Sequence, residues 1–212
     1  MDTTKKILLP TLAPYESCSG CSACKAVCPK DAIAMLPDTE GFLCPLVDEV
    51  KCVGCHRCEQ VCPVLHPGEL DAAPTCYAAY TKDEKLRLQS SSGGIFTELA
   101  KPIIAAGGVV FGCVWERPQL VAIHVRAETL EELAEMRGSK YVQSDLRDTF
   151  REAKTALMEG RQVLFSGTPC QIAGLKAFLG KCYDNLLLVE IICHGTPSQG
   201  YLKPIWVRRK ND

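Results

Sequence analysis

The chain has 212 residues, 47% of them hydrophobic and 23% charged, which is the composition of an ordinary globular protein of one or two domains. Its net charge of −1 gives no sign of a nucleic-acid or membrane-surface partner. The apolar run before Pro10 is too short for a signal peptide, and no stretch reaches the ~20 apolar residues of a membrane span. We therefore predict a cytoplasmic protein, in which the 14 cysteines bind metal or do chemistry rather than form disulfides.

Eight of the cysteines form two runs with the same spacing, C-x2-C-x2-C-x3-C-P, and the second run begins 34 residues after the first. This is the pattern of bacterial ferredoxins with two [4Fe–4S] clusters, in which the fourth cysteine of each run ligates the other cluster. The predicted ligands of the first cluster are Cys18, Cys21, Cys24 and Cys62. Those of the second cluster are Cys52, Cys55, Cys58 and Cys28.

Pairs of cysteines with this spacing also occur in zinc sites, which are the alternative interpretation. A zinc ion needs only four ligands, usually in two separated pairs. A zinc site therefore does not explain why several cysteines follow one another at this spacing. Three thiolates so spaced can surround one corner of a cubic cluster, and the proline then ends the loop. Around the two runs, residues 14–66 carry seven acidic and four basic side chains, compatible with either a solvated surface or a docking surface.

A linker with Pro67-Gly68 and Ala72-Ala73-Pro74 separates a first domain, residues 14–66, from a second domain, residues 75–212. Predicted strands of the second domain cover residues 76–80, 109–115, 120–126, 162–165 and 186–192, the last one buried on both faces. Predicted helices cover residues 96–100, 129–136, 145–158 and 169–179, and Thr129 with Glu132 forms a capping box for the second of them. These patterns predict an α+β ferredoxin-like domain followed by an α/β domain with a mixed, partly parallel sheet.

Three turns rich in glycine, serine and threonine lie where an α/β domain commonly binds a ligand. In the turn of residues 166–171, a buried strand ends and Thr168 precedes a helix that starts at Pro169. The free N–H groups of such a helix start suit a phosphate, although an ordinary connection between a strand and a helix has the same features. Residues 91–94 open another helix, and residues 138–142 place a lysine and a tyrosine beside a glycine. Each of these two turns is also compatible with a solvated loop.

Four segments follow the cysteine runs in order: Ser-Gly-Gly at 92–94, Gly-Ser-Lys-Tyr-Val at 138–142, Gly-Thr-Pro-Cys-Gln-Ile at 167–172 and Cys-His-Gly-Thr-Pro-Ser at 193–198. Together with the two-cluster ferredoxin pattern that precedes them, these segments resemble the coenzyme F420 hydrogenase/dehydrogenase beta subunit family. The resemblance extends over most of the chain, from Cys18 to Ser198. Gly-Thr-Pro-Cys-Gln and Gly-Ser-Lys-Tyr are its most specific parts.

The resemblance implies an FAD-binding α/β domain that passes electrons between a hydride-carrying coenzyme, such as F420, and iron–sulfur clusters. Relatives commonly work in complexes, so a redox partner protein or subunit is implied as well. The implied flavin-binding residues are Gly93, Gly94, Thr97, Ser139, Lys140, Tyr141, Gly167, Thr168 and Gln171. Family members continue past the Cys-His-Gly segment, whereas this chain ends at Asp212, so we expect its flavin-binding domain to be incomplete.

Three residues are candidates for a direct part in the chemistry. Lys140 is predicted to stabilise negative charge on a reduced flavin or on a phosphate. Cys193 and His194 follow a predicted strand, and they either face the flavin or pack together as a core pair. Cys170, at the start of a predicted helix, is either a reactive thiol or a small buried side chain.

The remaining cysteines and histidines carry no pattern of this kind. Cys113 and Cys182 lack the cluster spacing, and Cys44 and Cys76 are interpreted as core residues. None of the four histidines is spaced for a catalytic triad, and His124 belongs to no motif.

Two functions from different classes follow from these patterns. The first is an iron–sulfur flavoprotein oxidoreductase, or a subunit of one, that moves electrons between a hydride carrier such as reduced coenzyme F420 and an acceptor through FAD and two [4Fe–4S] clusters. The second is a non-catalytic electron-transfer ferredoxin module whose second domain docks a partner. Bound FAD discriminates between them, because only the first function requires it.

Overall fold

A computed structural model describes residues 7–68 and 75–201 of the chain. Most of the predicted linker, residues 69–74, lies outside these ranges, and so do residues 202–212 at the end of the second predicted domain. Among the described residues, no helix is both long enough and apolar enough to cross a lipid bilayer. The predicted domain boundaries stay a prediction.

The cysteine-rich half is built from two short helices and one hairpin. Helix α1 (Ala23–Val27) and helix α2 (Arg57–Gln60) each begin inside a cysteine run. Strands β1 (Ile33–Pro37) and β2 (Leu43–Val47) pair antiparallel between the two helices. Helices this short are not stable alone in water, so their stability comes from packing against the rest of the chain.

The other half contains a four-stranded mixed sheet with the strand order β4-β3-β5-β6. The strands are β3 (Val109–Glu116), β4 (Val121–Ala127), β5 (Val163–Gly167) and β6 (Leu186–Glu190). Strand β3 pairs antiparallel with β4 and parallel with β5, which pairs parallel with β6. All of β5 is buried, because it has a strand on each side and helices against its faces. The sheet is therefore mixed and partly parallel, as expected from the sequence.

Within the described residues, five helices accompany this sheet. They are α3 (Glu84–Leu88), α4 (Ile95–Ala105), α5 (Leu130–Glu135), α6 (Thr149–Met158) and α7 (Pro169–Leu179). The predicted capping box opens α5: the Glu132 N–H donates to Thr129 Oγ1, and the Thr129 N–H donates to Glu132 Oε2, both at 3.2 Å. Helix α7 has the predicted bounds and ends before Gly180, whose φ of 69° suits a glycine C-cap.

Three predicted elements differ from the structure. Residues 76–80 form no strand and are exposed, so Cys76 is not a core residue; residue types that favour a strand do not form one without a neighbour to pair with. The helix predicted from Asp145 begins at Thr149, because the Asp145 carbonyl instead accepts a hydrogen bond from the His124 N–H at 2.8 Å. Strand β6 ends at Glu190 and lies at the sheet edge, where it is half-buried rather than buried on both faces.

One apolar core runs through both halves of the molecule. Val27 and Ile33 of the cysteine-rich half belong to the same cluster of buried side chains as Phe111, Phe150 and Phe165 of the α/β half. The Phe165 ring lies 5.5 Å from that of Phe111 and 5.6 Å from that of Phe150. Helix α1 packs against α6 and α7. The cysteine-rich half is thus built into the α/β half rather than tethered to it.

Arg151 on helix α6 adds polar contacts at this junction. Its guanidinium donates to the carbonyls of Ala26 at 2.8 Å, Cys28 at 2.9 Å and Lys25 at 3.2 Å. The last carbonyls of a helix have no partner inside the helix, so Arg151 satisfies the end of α1 from the other half of the molecule. It also forms an ion pair with Asp31 at 2.6 Å.

Candidate metal centres and the adjoining loop site

The two cysteine runs fold into loops with nearly the same backbone, here named the first cluster loop (residues 18–24) and the second cluster loop (residues 52–58). Gly20 and Gly54 occupy equivalent positions with φ of 67° and 65°. Ser22 and His56, also equivalent, have φ of 61° and 54°. Left-handed residues placed in this way can turn several backbone N–H groups toward a common centre, a backbone form found at iron–sulfur sites.

The side chains predicted to hold the first cluster lie close enough to interact. The pKa of Cys21 is raised to about 11, mainly by burial and with smaller contributions from the nearby Cys170, Cys62 and Cys18. Burial likewise raises the pKa of Cys24 to about 12, with smaller contributions from Cys21 and Cys18. Cys62, from the second run, therefore lies beside cysteines of the first run, where the crossed ligand assignment requires it. The assignment itself stays a prediction.

The four predicted ligands of the second cluster line a single pocket: Cys28, Cys52, Cys55 and Cys58. Cys55 is exposed, whereas Cys52 and Cys58 are buried. The Ala32 N–H donates to Cys28 Sγ at 3.3 Å, and hydrogen bonds to cluster sulfurs are one way in which proteins tune a cluster. In the described part of the chain, no three His, Cys, Asp or Glu side chains converge in the way that a single metal ion requires.

The first cluster loop is covered by the α/β half. A Cβ atom on Gly174 of helix α7 would lie 3.0 Å from Cys21 Sγ and 3.1 Å from Cys21 Cβ. Gln143 Oε1 accepts a hydrogen bond from the Leu43 N–H at 2.7 Å, next to Gly20. A Cβ atom on Gly20 would lie 2.4 Å from Gln143 Nε2. Both approaches are closest with glycine, because a side chain at Gly20 would overlap Gln143 and one at Gly174 would displace Cys21.

The segments that carry the family resemblance lie side by side near the carboxyl ends of β5 and β6. The Ser139 N–H donates to Ser91 Oγ at 2.8 Å, which joins the turns of residues 91–94 and 138–142. The Ile191 N–H donates to the Gly167 carbonyl at 2.8 Å, which places the chain after β6 beside the turn after β5. Ligands of open α/β sheets commonly bind at this edge.

A buried polar network holds the turn after β5. The Thr168 N–H donates to Gln171 Oε1, and Gln171 Nε2 donates to Ser144 Oγ, both at 3.0 Å. His124 lies 3.0 Å from Ser144 Oγ through Nδ1 and 3.0 Å from the Ser166 carbonyl through Nε2. Because a carbonyl only accepts, Nε2 carries the proton and Nδ1 accepts from the serine hydroxyl. Burial lowers the pKa of His124 to about 4, so the ring is neutral at physiological pH.

Lys140, predicted to act on the flavin, places its ammonium at the end of helix α5. Nζ donates to the carbonyls of Arg137 at 2.9 Å, Met136 at 3.0 Å and Glu135 at 3.1 Å. An ammonium has three N–H groups, so all of its donors are engaged. Burial lowers its pKa, against the opposing effect of the nearby Cys113 and Glu135. The predicted role of Lys140 in stabilising negative charge on a ligand stays a prediction. Its ammonium can bind a ligand only by giving up one of these hydrogen bonds.

The other predicted flavin residues divide into packed and accessible ones. A Cβ atom on Gly93 would lie 2.7 Å from the Ala79 carbonyl, so this glycine is required by the chain's own packing. Gly94 has a φ of 76°, and Thr97 is buried in helix α4. Tyr141, by contrast, is 79% exposed beside these turns.

Cys193 and His194 follow strand β6, as predicted. Cys193 is half-buried, and its Sγ accepts a hydrogen bond from the Gly195 N–H at 3.4 Å. His194 is exposed. The interpretation of these two residues as a core pair is therefore wrong, and a position facing a flavin stays a prediction.

Several residues of this region were missed by the sequence analysis, and Arg137 is the most relevant to binding. Its Nε is buried and has no hydrogen-bond partner among the described residues, while its Nη1 donates to Gln89 Oε1 at 2.8 Å. The signal available in the sequence was its place directly before the turn of residues 138–142. Gly174 also carried a signal, because a glycine inside a helix is unfavourable unless another group approaches closely.

Comparison with known proteins agrees with the two halves of the chain. Residues 17–65 match the 4Fe-4S dicluster domain, and residues 76–150 match the family described as coenzyme F420 hydrogenase/dehydrogenase, beta subunit N-term. Among solved structures, the chain is similar to one from the xenon-derivatised F420-reducing [NiFe] hydrogenase complex of Methanosarcina barkeri, with 20% identity and a TM-score of 0.49. That similarity covers 63% of this chain and 48% of the other, so this chain spans about half of its relative's length. A search of curated proteins gave no match.

These matches bear out the resemblance expected from the sequence: a segment similar to 4Fe-4S dicluster domains is followed by a segment similar to the N-terminal part of the coenzyme F420 hydrogenase/dehydrogenase beta subunit family.

Proposed function

We propose that the chain is an iron–sulfur flavoprotein oxidoreductase, or a subunit of one, that moves electrons between a hydride carrier such as reduced coenzyme F420 and a redox partner protein. Its proposed cofactors are one FAD and two [4Fe–4S] clusters. One observation carries the proposal: helix α7 starts at the turn of Thr168 and meets Cys21 of the first cluster loop through Gly174. A single helix thus connects the proposed flavin site with a proposed cluster ligand.

The turns around Arg137 suit the pyrophosphate of FAD. The buried Nε of Arg137 lacks a partner among the described residues, and a buried donor without a partner costs free energy that an anionic ligand would recover. Gly138 has a φ of 82°, and the space into which a Cβ atom would project is open. The hydroxyls of Ser91 and Ser139 lie beside it, 3.3 Å apart. These donors fit a flavin phosphate better than they fit a neutral ligand.

When bound, FAD supplies the conversion between a hydride and single electrons, while the protein supplies binding, orientation and electrostatics. In this proposal Arg137 and Ser139 bind the phosphates, and the exposed ring of Tyr141 lies against the flavin. Gln171 acts indirectly, by holding the turn that begins at Thr168. Cys193 and His194 are proposed to face the flavin from the segment after β6.

Flavin content tests the proposal. After anaerobic purification and reconstitution, we expect one acid-released FAD per chain. We expect Arg137→Ala to weaken FAD affinity about tenfold or more, because a charge-assisted hydrogen bond is lost. Arg126→Ala is the matched control: Arg126 forms a partly exposed ion pair with Glu128 at 2.6 Å, and such pairs contribute little. A chain that binds no flavin even with added FAD would contradict the proposal.

The second candidate is a non-catalytic ferredoxin module whose α/β half docks a partner. The observation that favours it is the state of two proposed flavin ligands: the Gln171 amide and the Lys140 ammonium already have partners within the chain. Full cluster content without flavin would support this candidate. The cytoplasmic location expected from the sequence stays a prediction under either function.

A further inference from the structure

We propose that the second cluster loop is the docking face for a small acidic electron-carrier protein. The inference rests on the proposed function, because it needs a cluster at this loop. Cys55 of the second loop is exposed, whereas Cys21 of the first loop is buried under Gly174. A partner protein can therefore approach the second cluster directly, and the α/β half stands in the way at the first.

Two cationic side chains of this face form no ion pair with the described residues. Lys30 and Arg57 line the pocket of the second cluster ligands, and both are exposed. Within the described ranges, neither lies in an ion pair with an acidic side chain. Unpaired cations around an accessible pocket attract and orient an anionic partner.

The acidic side chains beside the loop do not line the pocket, and two of them, Glu59 and Asp48, are bonded within the chain. Glu59 accepts a hydrogen bond from a backbone N–H and lies 3.2 Å from His56 Nδ1. Asp48 accepts from the N–H groups of the following turn at 3.0 and 3.3 Å and pairs with Lys51 at 3.4 Å. Glu49 is exposed but does not line the pocket.

Two further acidic side chains, Asp38 and Glu40, lie on the side of the first loop. Asp38 accepts a hydrogen bond from Tyr15, and its Oδ2 lies 4.0 Å from Cys44 Sγ. Cys44 in turn interacts with Cys18 of the first loop, and Glu40 lies close enough to affect Tyr15. Whatever the acidic excess along the sequence, no acidic side chain lines the pocket of the second cluster loop, whereas Lys30 and Arg57 do.

Apolar side chains next to the cations complete the surface. Val53 within the second loop and Val50 before it are 51% and 96% exposed. Electron-transfer partners typically share small interfaces in which apolar contact near the cofactor is combined with charges that orient the encounter. Since the charges here are positive, the partner that fits is an acidic carrier.

The test is a binding titration of the anaerobically reconstituted chain with a small acidic bacterial-type ferredoxin, both oxidised, at several salt concentrations. We expect the Kd to rise about tenfold between 50 and 300 mM salt, because screening weakens surface charge interactions. The double variant Lys30→Glu/Arg57→Glu should weaken binding by about tenfold or more at low salt, and Lys30→Gln/Arg57→Gln should lie between it and the unaltered chain.

The matched control is Lys82→Glu/Lys85→Glu, which reverses two exposed cations of the α/β half and should change the Kd less than about twofold. Equal effects of the two double reversals, no detectable binding, or tighter binding of a basic cytochrome c than of the ferredoxin would overturn the inference. Iron and sulfide are counted on every sample. A chain that assembles no clusters would refute the proposed function, and with it the inference, whereas full clusters with unchanged binding would refute the docking face alone.

Discussion

The first and second cluster loops share a cysteine spacing and nearly the same backbone, yet their surroundings are opposite. In the first loop, Cys21 lies against Gly174 of helix α7, and Gln143 bonds the adjacent backbone of Leu43. In the second loop, Cys55 is exposed. The sequence motif thus specifies the loop, while the contacts made by distant residues decide what each cluster can reach. In this protein the first loop packs against the α/β half, and Cys55 of the second loop is exposed.

The largest effect should come from placing a methyl group at the equivalent glycines. In Gly20→Ala the new Cβ atom would lie 2.4 Å from Gln143 and 2.6 Å from the Leu43 carbonyl. Left-handed strain and overpacking together should cost about 4 kcal/mol of unfolding free energy. Gly54→Ala meets Ile7 Cγ2 at 2.9 Å and the Leu8 carbonyl oxygen at 3.0 Å, a less severe approach than at Gly20, and should cost about 2 kcal/mol. Anaerobic denaturant titrations measure both; equal costs would remove the difference between the loops.

An acid-dependent loss of stability should follow from His124, whose network supports the start of helix α7. The folded chain keeps this ring neutral with a pKa of about 4, below the ordinary histidine value of 6.5. As the pH falls from 6.5 toward 4, the unfolded chain binds a proton that the folded chain excludes, so stability present above pH 6.5 is lost. The full loss should approach about 3 kcal/mol.

Denaturant titrations between pH 7.5 and 4.5 measure the slope of unfolding free energy against pH. We expect His124→Gln to flatten the slope, whatever its effect on overall stability, because the titrating group is gone. His66→Gln, at an exposed position, is the matched control and should leave the slope as it is. An unchanged slope in His124→Gln would contradict the assignment of the acid-dependent loss of stability to His124.

The smallest effect should come from the contact between the two halves at Gly174. In Gly174→Ala, Cys21 must shift by a few tenths of an ångström, and the gain in helix propensity partly offsets this cost, so stability should fall by about 1 kcal/mol or less. The electron paramagnetic resonance signal of the first reduced cluster should change, and that of the second should not. Gly68→Ala, where the added methyl meets no atom within 4 Å, is the control and should change neither signal.

Local patterns predicted much of the fold and all of the candidate cluster ligands. The cysteine motif spans only a few residues, so it can be recognised without knowledge of the fold. The ends of helix α7 could be predicted because Pro169 and Gly180 start and stop a helix through local effects. The prediction for residues 76–80 was wrong because the residue types of a segment say nothing about whether a neighbouring strand exists. Elements whose ends depend on local chemistry were therefore predicted better than those that depend on pairing.

The junction between the halves could not be predicted, because it is made by residues far apart in the sequence. Gln143 bonds Leu43, and Arg151 bonds the end of helix α1, across separations of 100 residues or more. No local pattern marks these side chains. His124 was dismissed as lying outside any motif, yet burial and its partners Ser144 and Ser166 place it in the network behind the proposed site. Such roles become visible only when the chain is folded.

The central claim, two clusters of which one is covered and one is open, is tested most directly by following iron release to a chelator while alkylating the freed cysteines. The reconstituted chain should hold about eight irons and lose them in two phases of about four each. Mass spectrometry should find Cys55 and Cys52 alkylated in the fast phase, and Cys21 and Cys24 in the slow phase. A single phase, the reverse order of alkylation, or an iron content of about four would contradict the account.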